Sequence, residues 1–165
     1  MGDTQVITPD VVALREEIGA PGMLVLQFAW EGGGANVHLP HNHYPNSICY
    51  PGTHDNDTAA GWWASTNDKA KTAFTRYTGV QDAAEVPSKM IELGMSSVSK
   101  DCIMIMQDVI GLDGSARFNT PGTADGNWVW RSKSFDNFTA EAENMVALCK
   151  VTDRAPPGKY DNEDE

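Results

Sequence analysis

The chain reads as an α/β protein built on a parallel sheet. Three observations predict this. Apolar runs at residues 23–30, 47–50 and 102–106 are nearly continuous, the pattern of strands covered on both faces and not of one-sided antiparallel ribbons. Stretches with helical spacing precede the first run and separate the second from the third. Polar side chains gather just after each run: Glu31, then His54 and Asp55, then Gln107 and Asp108. In α/β barrels the carboxyl ends of the parallel strands bear the active site, so this last pattern points to a functional surface as well as to a fold.

The elements follow in order. Gln5-Val6-Ile7 has strand character, and Thr8-Pro9-Asp10 is a helix start: a capping hydroxyl, a proline suited to the first turn, and a carboxylate at the positive end of the dipole. Val11, Leu14 and Ile18, with Val12 beside them, then form an apolar stripe that Gly19 and Pro21 bring to an end. The run from Met23 to Trp30 predicts the first strand. Glu31-Gly32-Gly33-Gly34 breaks it, and the proline-bounded segment from His38 to Pro45 is loop. Ser47 to Tyr50 predicts the second strand, which delivers the turn Pro51-Gly52-Thr53-His54-Asp55-Asn56-Asp57-Thr58.

Helices are predicted from Ala59 past Trp62 and Trp63, from Ala70 to Tyr77, and from Val86 to Val98, punctuated by Gly79 and Pro87. Cys102 to Met106 predicts a third strand closed by Gln107-Asp108. Residues 111–137 form a long loop whose tryptophans argue for order. Thr139 to Lys150 predicts a last helix with Met145 and Leu148 on one face, and the acidic tail from Ala155 is expected to fray.

At 165 residues and 41% hydrophobic, the chain suits one domain with a core. A net charge of -11 provides no basic stripe for phosphates, which argues against a nucleic-acid partner. No apolar stretch is long enough to span a bilayer and the N-terminus lacks a signal pattern, so a soluble intracellular protein without a membrane partner is expected. Cys49, Cys102 and Cys149, odd in number and widely spaced, read as reduced thiols.

His54 beside Asp55, followed by Asn56 and Asp57 on a tight turn, makes a polar cluster able to bind vicinal sugar hydroxyls. Asp55 can also hold negative charge against an oxocarbenium-like transition state. Trp30, Trp62, Trp63, Trp128 and Trp130 supply flat faces of the kind that stack on pyranose rings. Carbohydrate is therefore the substrate class these residue types suit best. The plainer alternatives stay open beside it. His54-Asp55 can be a structural hydrogen bond at a turn, and Trp62 and Trp63 can be core. His38, His41, His43 and His54 with Asp55 and Asp57 raise a metal-dependent hydrolase, but no HExxH or CxxC pattern supports it and no metal or other cofactor is expected. Gly32 to Gly34 lacks a following Lys-Ser/Thr, which argues against a phosphate cradle, and no nucleophile elbow is present.

Taken together, Pro21-Gly22-Met23 with Val25-Leu26-Gln27-Phe28-Ala29, Leu39-Pro40-His41-Asn42, Gly52-Thr53-His54-Asp55-Asn56-Asp57-Thr58, Gly61-Trp62, Met106-Gln107-Asp108, Arg117-Phe118-Asn119-Thr120-Pro121-Gly122 and Gly126-Asn127-Trp128 closely resemble the 4-alpha-glucanotransferases, the amylomaltase or disproportionating enzymes of glycoside hydrolase family 77. The resemblance covers about residues 6–150. It implies the C-terminal part of a (β/α)8 TIM barrel, about three parallel strands with flanking helices and incomplete as a barrel. It also implies a retaining transferase that moves a segment of 1,4-alpha-D-glucan to a new 4-position of an acceptor glucan or glucose, with maltooligosaccharides as partners.

Three carboxylates do this work in the family. By resemblance Asp55 is the transition-state stabiliser, and His54, Asn119, Gln107 and Asp108 are substrate-binding residues. The departures matter as well. The nucleophile's strand lies upstream in the family and has no counterpart here, Gly2 falls where the acid/base glutamate should be with Asp3 on the family aspartate, and Pro51 replaces a small polar residue. The expected organisation is a truncated start at residues 1–5, the barrel portion at 6–150 and a disordered acidic tail at 151–165. The chain alone is expected to be inactive, its open edges and uncovered apolar face being a liability in water. The rival reading is a non-catalytic alpha-glucan-binding or interaction module. The compartment implied is the plastid for a plant or alga and the cytoplasm otherwise.

Overall fold

A computed structural model describes residues 8–133 and 138–155. Expectations that fall on Gly2, Asp3, Gln5 to Ile7 and the tail beyond Ala155 lie outside these residues. Helix α1 (Pro9–Glu17) leads into β1 (Gly22–Val25), and a proline-bounded loop connects to β2 (Ser47–Tyr50). Helices α2 (Ala59–Ser65), α3 (Asp68–Thr78) and α4 (Val86–Met95) precede β3 (Asp101–Cys102). A single-turn helix α5 (Met106–Val109), the long loop and α6 (Thr139–Val151) complete the order.

The sheet has the order β1-β2-β3 and both pairings are parallel, with Leu24 opposite Cys49 and Cys49 opposite Cys102. The expected α/β organisation with three parallel strands and flanking helices is thus observed. Leu24, Val25, Leu26 and Cys49 are buried in and just after the strands. A second apolar group joins Ala29, Trp30 and Leu39 from the loops to Ala59, Ala70, Phe74, Val86 and Met90 from α2, α3 and α4. Edge-to-face contacts of Trp30 and Trp62 with Phe74, at 4.7 and 5.8 Å between ring centroids, fill its centre. Helices α2 and α3 form where the sequence has side-chain caps. Thr58 accepts from the Gly61 amide, Asn67 accepts from the Ala70 amide, and Gly79 ends α3 with φ +78°.

Sequence expectations for three elements are corrected. The first strand is four residues long, not eight: after Val25 the chain winds into a 3-10 turn at Leu26–Phe28. Here the Val25 amide donates to His38 Nδ1 at 3.0 Å and the Gln27 amide to the Pro51 carbonyl at 3.2 Å, so loop groups replace a ladder. Nor is the run covered on both faces, since Met23 and Phe28 are more than half exposed.

The third strand is likewise short. Ile103 donates to the Cys49 carbonyl at 2.9 Å, Pro51 offers no N–H to extend the ladder, and Gln107 and Asp108 stand in the turn of helix α5 instead of closing a strand. Finally, the stripe Val11, Leu14, Ile18 is exposed and α1 buries no residue. Thr8 caps α1 through its carbonyl, not its hydroxyl.

Candidate active site

The turn after β2 is braced from within. Asn56 Oδ1 accepts from both the amide and the hydroxyl of Thr53, at 3.0 and 2.8 Å, and the Asp55 amide donates to Thr53 Oγ1 at 3.2 Å. It is also braced from below. Gln27 Nε2 donates to the Asp57 carbonyl at 2.8 Å, and Gly52 lies so close that a Cβ there would stand 2.5 Å from that same amide nitrogen. The Ala59 amide, at the start of α2, donates to Asp108 Oδ1 at 2.7 Å. With the backbone thus held, the side chains of His54 and Asp55 project outward, 56% and 52% exposed.

The loop after α5 supplies a second wall. Arg117 donates from Nε to the Asn119 carbonyl at 2.8 Å and from Nη2 to the Asp55 carbonyl at 2.7 Å, joining loop to turn. Asn119 Nδ2 then donates to Asp55 Oδ1 at 2.6 Å, while His54 Nε2 lies 3.4 Å from the same oxygen. Asn127 closes the loop on itself by accepting from the Thr120 amide at 2.8 Å and donating to the Thr123 carbonyl at 3.0 Å. Trp128, held at φ +63° with its amide bonded to the Phe118 carbonyl, sets its half-exposed ring 5.2 Å from the His54 ring.

His54, Asp55 and Asn119 are therefore gathered in one place. Gln107 and Asp108 are not exposed there. Both are buried: Gln107 donates to the Ala116 carbonyl at 3.0 Å, and Asp108 holds the start of α2. Among the described residues Gln107 Oε1 and Asp108 Oδ2 have no hydrogen-bond partner. Burial pushes the Asp108 carboxyl up to about 6, with the nearby charge of Asp57 acting in the same direction and the Ala59 amide opposing it.

Glu31 lies elsewhere, accepting from Asn67 Nδ2. Of the tryptophans, Trp30 is core, Trp62 and Trp63 are half-buried against it, and Trp130 packs on Phe118, leaving Trp128 beside His54. The histidines of the proline-bounded loop are bonded within the chain. His43 lies between Ser97 Oγ at 2.6 Å and the His38 carbonyl at 2.9 Å, and burial lowers both His38 and His43 below the usual histidine range. Among the described residues no group of three or more His, Cys, Asp or Glu comes together that could hold a metal ion.

Sequence reasoning did not single out Gln27 or Arg117 as builders of this site, and it placed Asn56 in the sugar-binding cluster, where the structure uses its Oδ1 to brace the turn. Gln27 left one trace, an amide inside the otherwise apolar run Val25 to Ala29. Asn56 left another, three residues after a threonine on a tight turn.

A family model described as 4-alpha-glucanotransferase matches residues 2–137. The chain is 46% identical over 155 residues to the chloroplastic/amyloplastic 4-alpha-glucanotransferase of Arabidopsis thaliana, covering 92% of this chain and 27% of that one. It is 40% identical over 160 residues to the 4-alpha-glucanotransferase of Thermus thermophilus, covering 92% and 32%. The amylomaltase of Streptococcus agalactiae, solved in complex with acarbose, superposes with a TM-score of 0.86 at 26% identity over 93% of this chain and 31% of that one. The chain thus spans about a quarter to a third of the length of these relatives.

Proposed function

Because the chain belongs to the 4-alpha-glucanotransferase family, we propose that it contributes the sugar-binding wall of an enzyme that moves a segment of 1,4-alpha-D-glucan to the 4-position of an acceptor glucan or glucose. The observation that carries this is the convergence of Asn119 Nδ2 and His54 Nε2 on Asp55 Oδ1, beside the half-exposed ring of Trp128. Maltooligosaccharides are the substrates, in keeping with the acarbose held by the Streptococcus agalactiae amylomaltase.

The chemistry assigns roles. A carboxylate held by an amide donor keeps its second oxygen for the hydroxyls of a sugar ring, and its charge favours an oxocarbenium-like transition state over the neutral ground state. Asp55 has that position, with His54 and Asn119 as its neighbours on the sugar and Trp128 as the apolar face for a ring. Gln107 and Asp108 act from beneath, shaping the floor on which α2 and the loop rest. A retaining transfer also needs two carboxyl groups about 5 Å apart, one to attack and one to protonate, and the described residues gather no such pair on this face. Those two groups come from the remainder of a (β/α)8 barrel, of which residues 6–150 are the C-terminal portion, followed after Ala155 by an acidic segment.

Among the described residues no helix is long and apolar enough to cross a membrane. For a plant or algal source the plastid is the compartment, in line with the names of the plant relatives.

The test is a pair of measurements on the chain. Titration with maltoheptaose is expected to quench tryptophan fluorescence saturably, and incubation with maltotriose to release no glucose. Absence of a saturable change would remove the sugar wall. Glucose together with longer maltodextrins would overturn the division of labour between this chain and the remainder of the barrel.

A further inference from the structure

Beneath Gly94 of helix α4, the sheet carries two thiols side by side. Cys49 of β2 and Cys102 of β3 are register partners in parallel strands. Strand neighbours stand about 4.8 Å apart, inside the window of Cα separations a disulfide can span. Both sulfurs lie over one point of helix α4: a Cβ on Gly94 would be 2.8 Å from Cys102 Sγ and 3.7 Å from Cys49 Sγ. The missing side chain at Gly94 is what leaves room for them on a common face.

Their access differs. Cys49 is fully buried, whereas Cys102 is half-buried and lines an open groove with Met95, Ser97, Met145, Cys149 and Arg154. The guanidinium of Arg154 is fixed at this groove by donating to the carbonyls of Met95, Ser97 and Ser99 at 2.7, 2.8 and 2.7 Å. Hydrogen bonding between the thiols pushes Cys49 up and Cys102 down, and the charge of Arg154 favours the Cys102 thiolate. Cys102 is thus the thiol that small reagents reach and the one that ionises first. Cys149 shares the groove but not the register.

We propose that Cys49 and Cys102 are a redox-active dithiol, which a small aliphatic disulfide converts into an intrachain disulfide across the two strands. The Cys102 thiolate attacks one sulfur of the disulfide, forming a mixed disulfide at Cys102 and releasing one small thiolate, which takes up the proton that Cys102 lost. Cys49, giving its proton to solvent, then attacks the Cys102 sulfur and expels the second half of the reagent as a thiolate, which is protonated in turn. Two protein thiols are oxidised and one small disulfide is reduced to two thiols. The new bond ties β2 to β3 one residue before Tyr50, at the base of the turn that carries His54 and Asp55.

The test uses the full chain, oxidised glutathione as the probe at about pH 8, alkylation in denaturant, and peptide mapping by mass spectrometry. The expected product is a Cys49–Cys102 cross-linked peptide with Cys149 alkylated, at least about tenfold more abundant than any bridge that includes Cys149. Cys149→Ser is expected to leave that cross-link in place, and Cys49→Ser to stop at a glutathione adduct on Cys102. The proposal is overturned if Cys49 of the wild-type chain stays alkylatable throughout, or if the dominant bridge joins Cys102 to Cys149. The wild-type map decides this without relying on any variant folding.

Discussion

Asn119 reaches back across 64 positions of sequence to donate its side-chain amide to Asp55 Oδ1 at 2.6 Å. A hydrogen bond to a charged acceptor is worth more than one between neutral groups, and this one sets which oxygen of Asp55 is left for a ligand. Asn119→Ala is therefore expected to weaken maltoheptaose binding about tenfold, and Asp55→Ala to abolish it, with the fold unchanged by circular dichroism. Equal affinities for wild type and Asn119→Ala would separate this contact from the site.

Trp128 is more than half exposed and stands beside His54. If its ring is the apolar face for a sugar, Trp128→Phe is expected to keep binding within a few-fold, whereas Trp128→Ala loses at least about tenfold. Calorimetric titration measures both without depending on the fluorophore removed. Trp130→Ala, whose ring packs on Phe118, should disturb binding less than Trp128→Ala.

Asp108 gives a pH dependence whose sign is fixed. Its folded carboxyl titrates at about 6, above the unfolded value of 3.8. Between those values the folded chain holds a proton that the unfolded chain has lost, so this group's contribution to stability falls as pH rises from about 4 to about 6. Asp108→Asn cannot ionise and still accepts from the Ala59 amide. Its urea midpoint is expected to lack that decline, and at pH 7 it should exceed the wild type by on the order of 1–3 kcal/mol in unfolding free energy. An identical decline in the variant would locate the titration elsewhere.

Gly52 and Gln27 form a coupled pair. A methyl group on Gly52 would meet the Gln27 amide, which is buried and committed to the Asp57 carbonyl. Gly52→Ala alone is expected to cost about 1–3 kcal/mol, and Gln27→Ala a similar amount through the carbonyl it leaves without a donor. The double variant should cost less than the sum, because the shortened side chain at position 27 makes room for the methyl group. Strict additivity in chemical denaturation would show that the close approach carries no strain.

How far the sequence discloses this molecule differs by element, for physical reasons. Strand β2 is legible at both ends because Asn46 and Pro51 bracket it, α2 because Thr58 caps its start, α3 because Asn67 caps it and Gly79 stops it, and α4 because Pro87 stands in its first turn. Strands β1 and β3 look longer in sequence than in space. An apolar run does not reveal where the ladder loses its partners, and the ends here are set by His38 and by the imino nitrogen of Pro51. Helix α1 has a correct stripe and no burial, since spacing describes a face and not what meets it.

At the site, His54 and Asp55 are adjacent and open to inspection, and Asn119 came through the family's motif. Gln107 and Asp108 look the same in sequence as exposed strand-end residues, but the turn of α5 takes them inward. Arg117 could not be read as a positioning group, because its role depends on a carbonyl oxygen 62 positions away.

That same Arg117 has a thermodynamic consequence. By holding the Asn119 and Asp55 carbonyls together, it restricts the loop in the unliganded chain, so the conformational entropy of ordering that wall is given up during folding and not during association. Glycan binding should then proceed near the rate of simple encounter, with a heat-capacity change set by the ring surface covered and no further contribution from loop ordering.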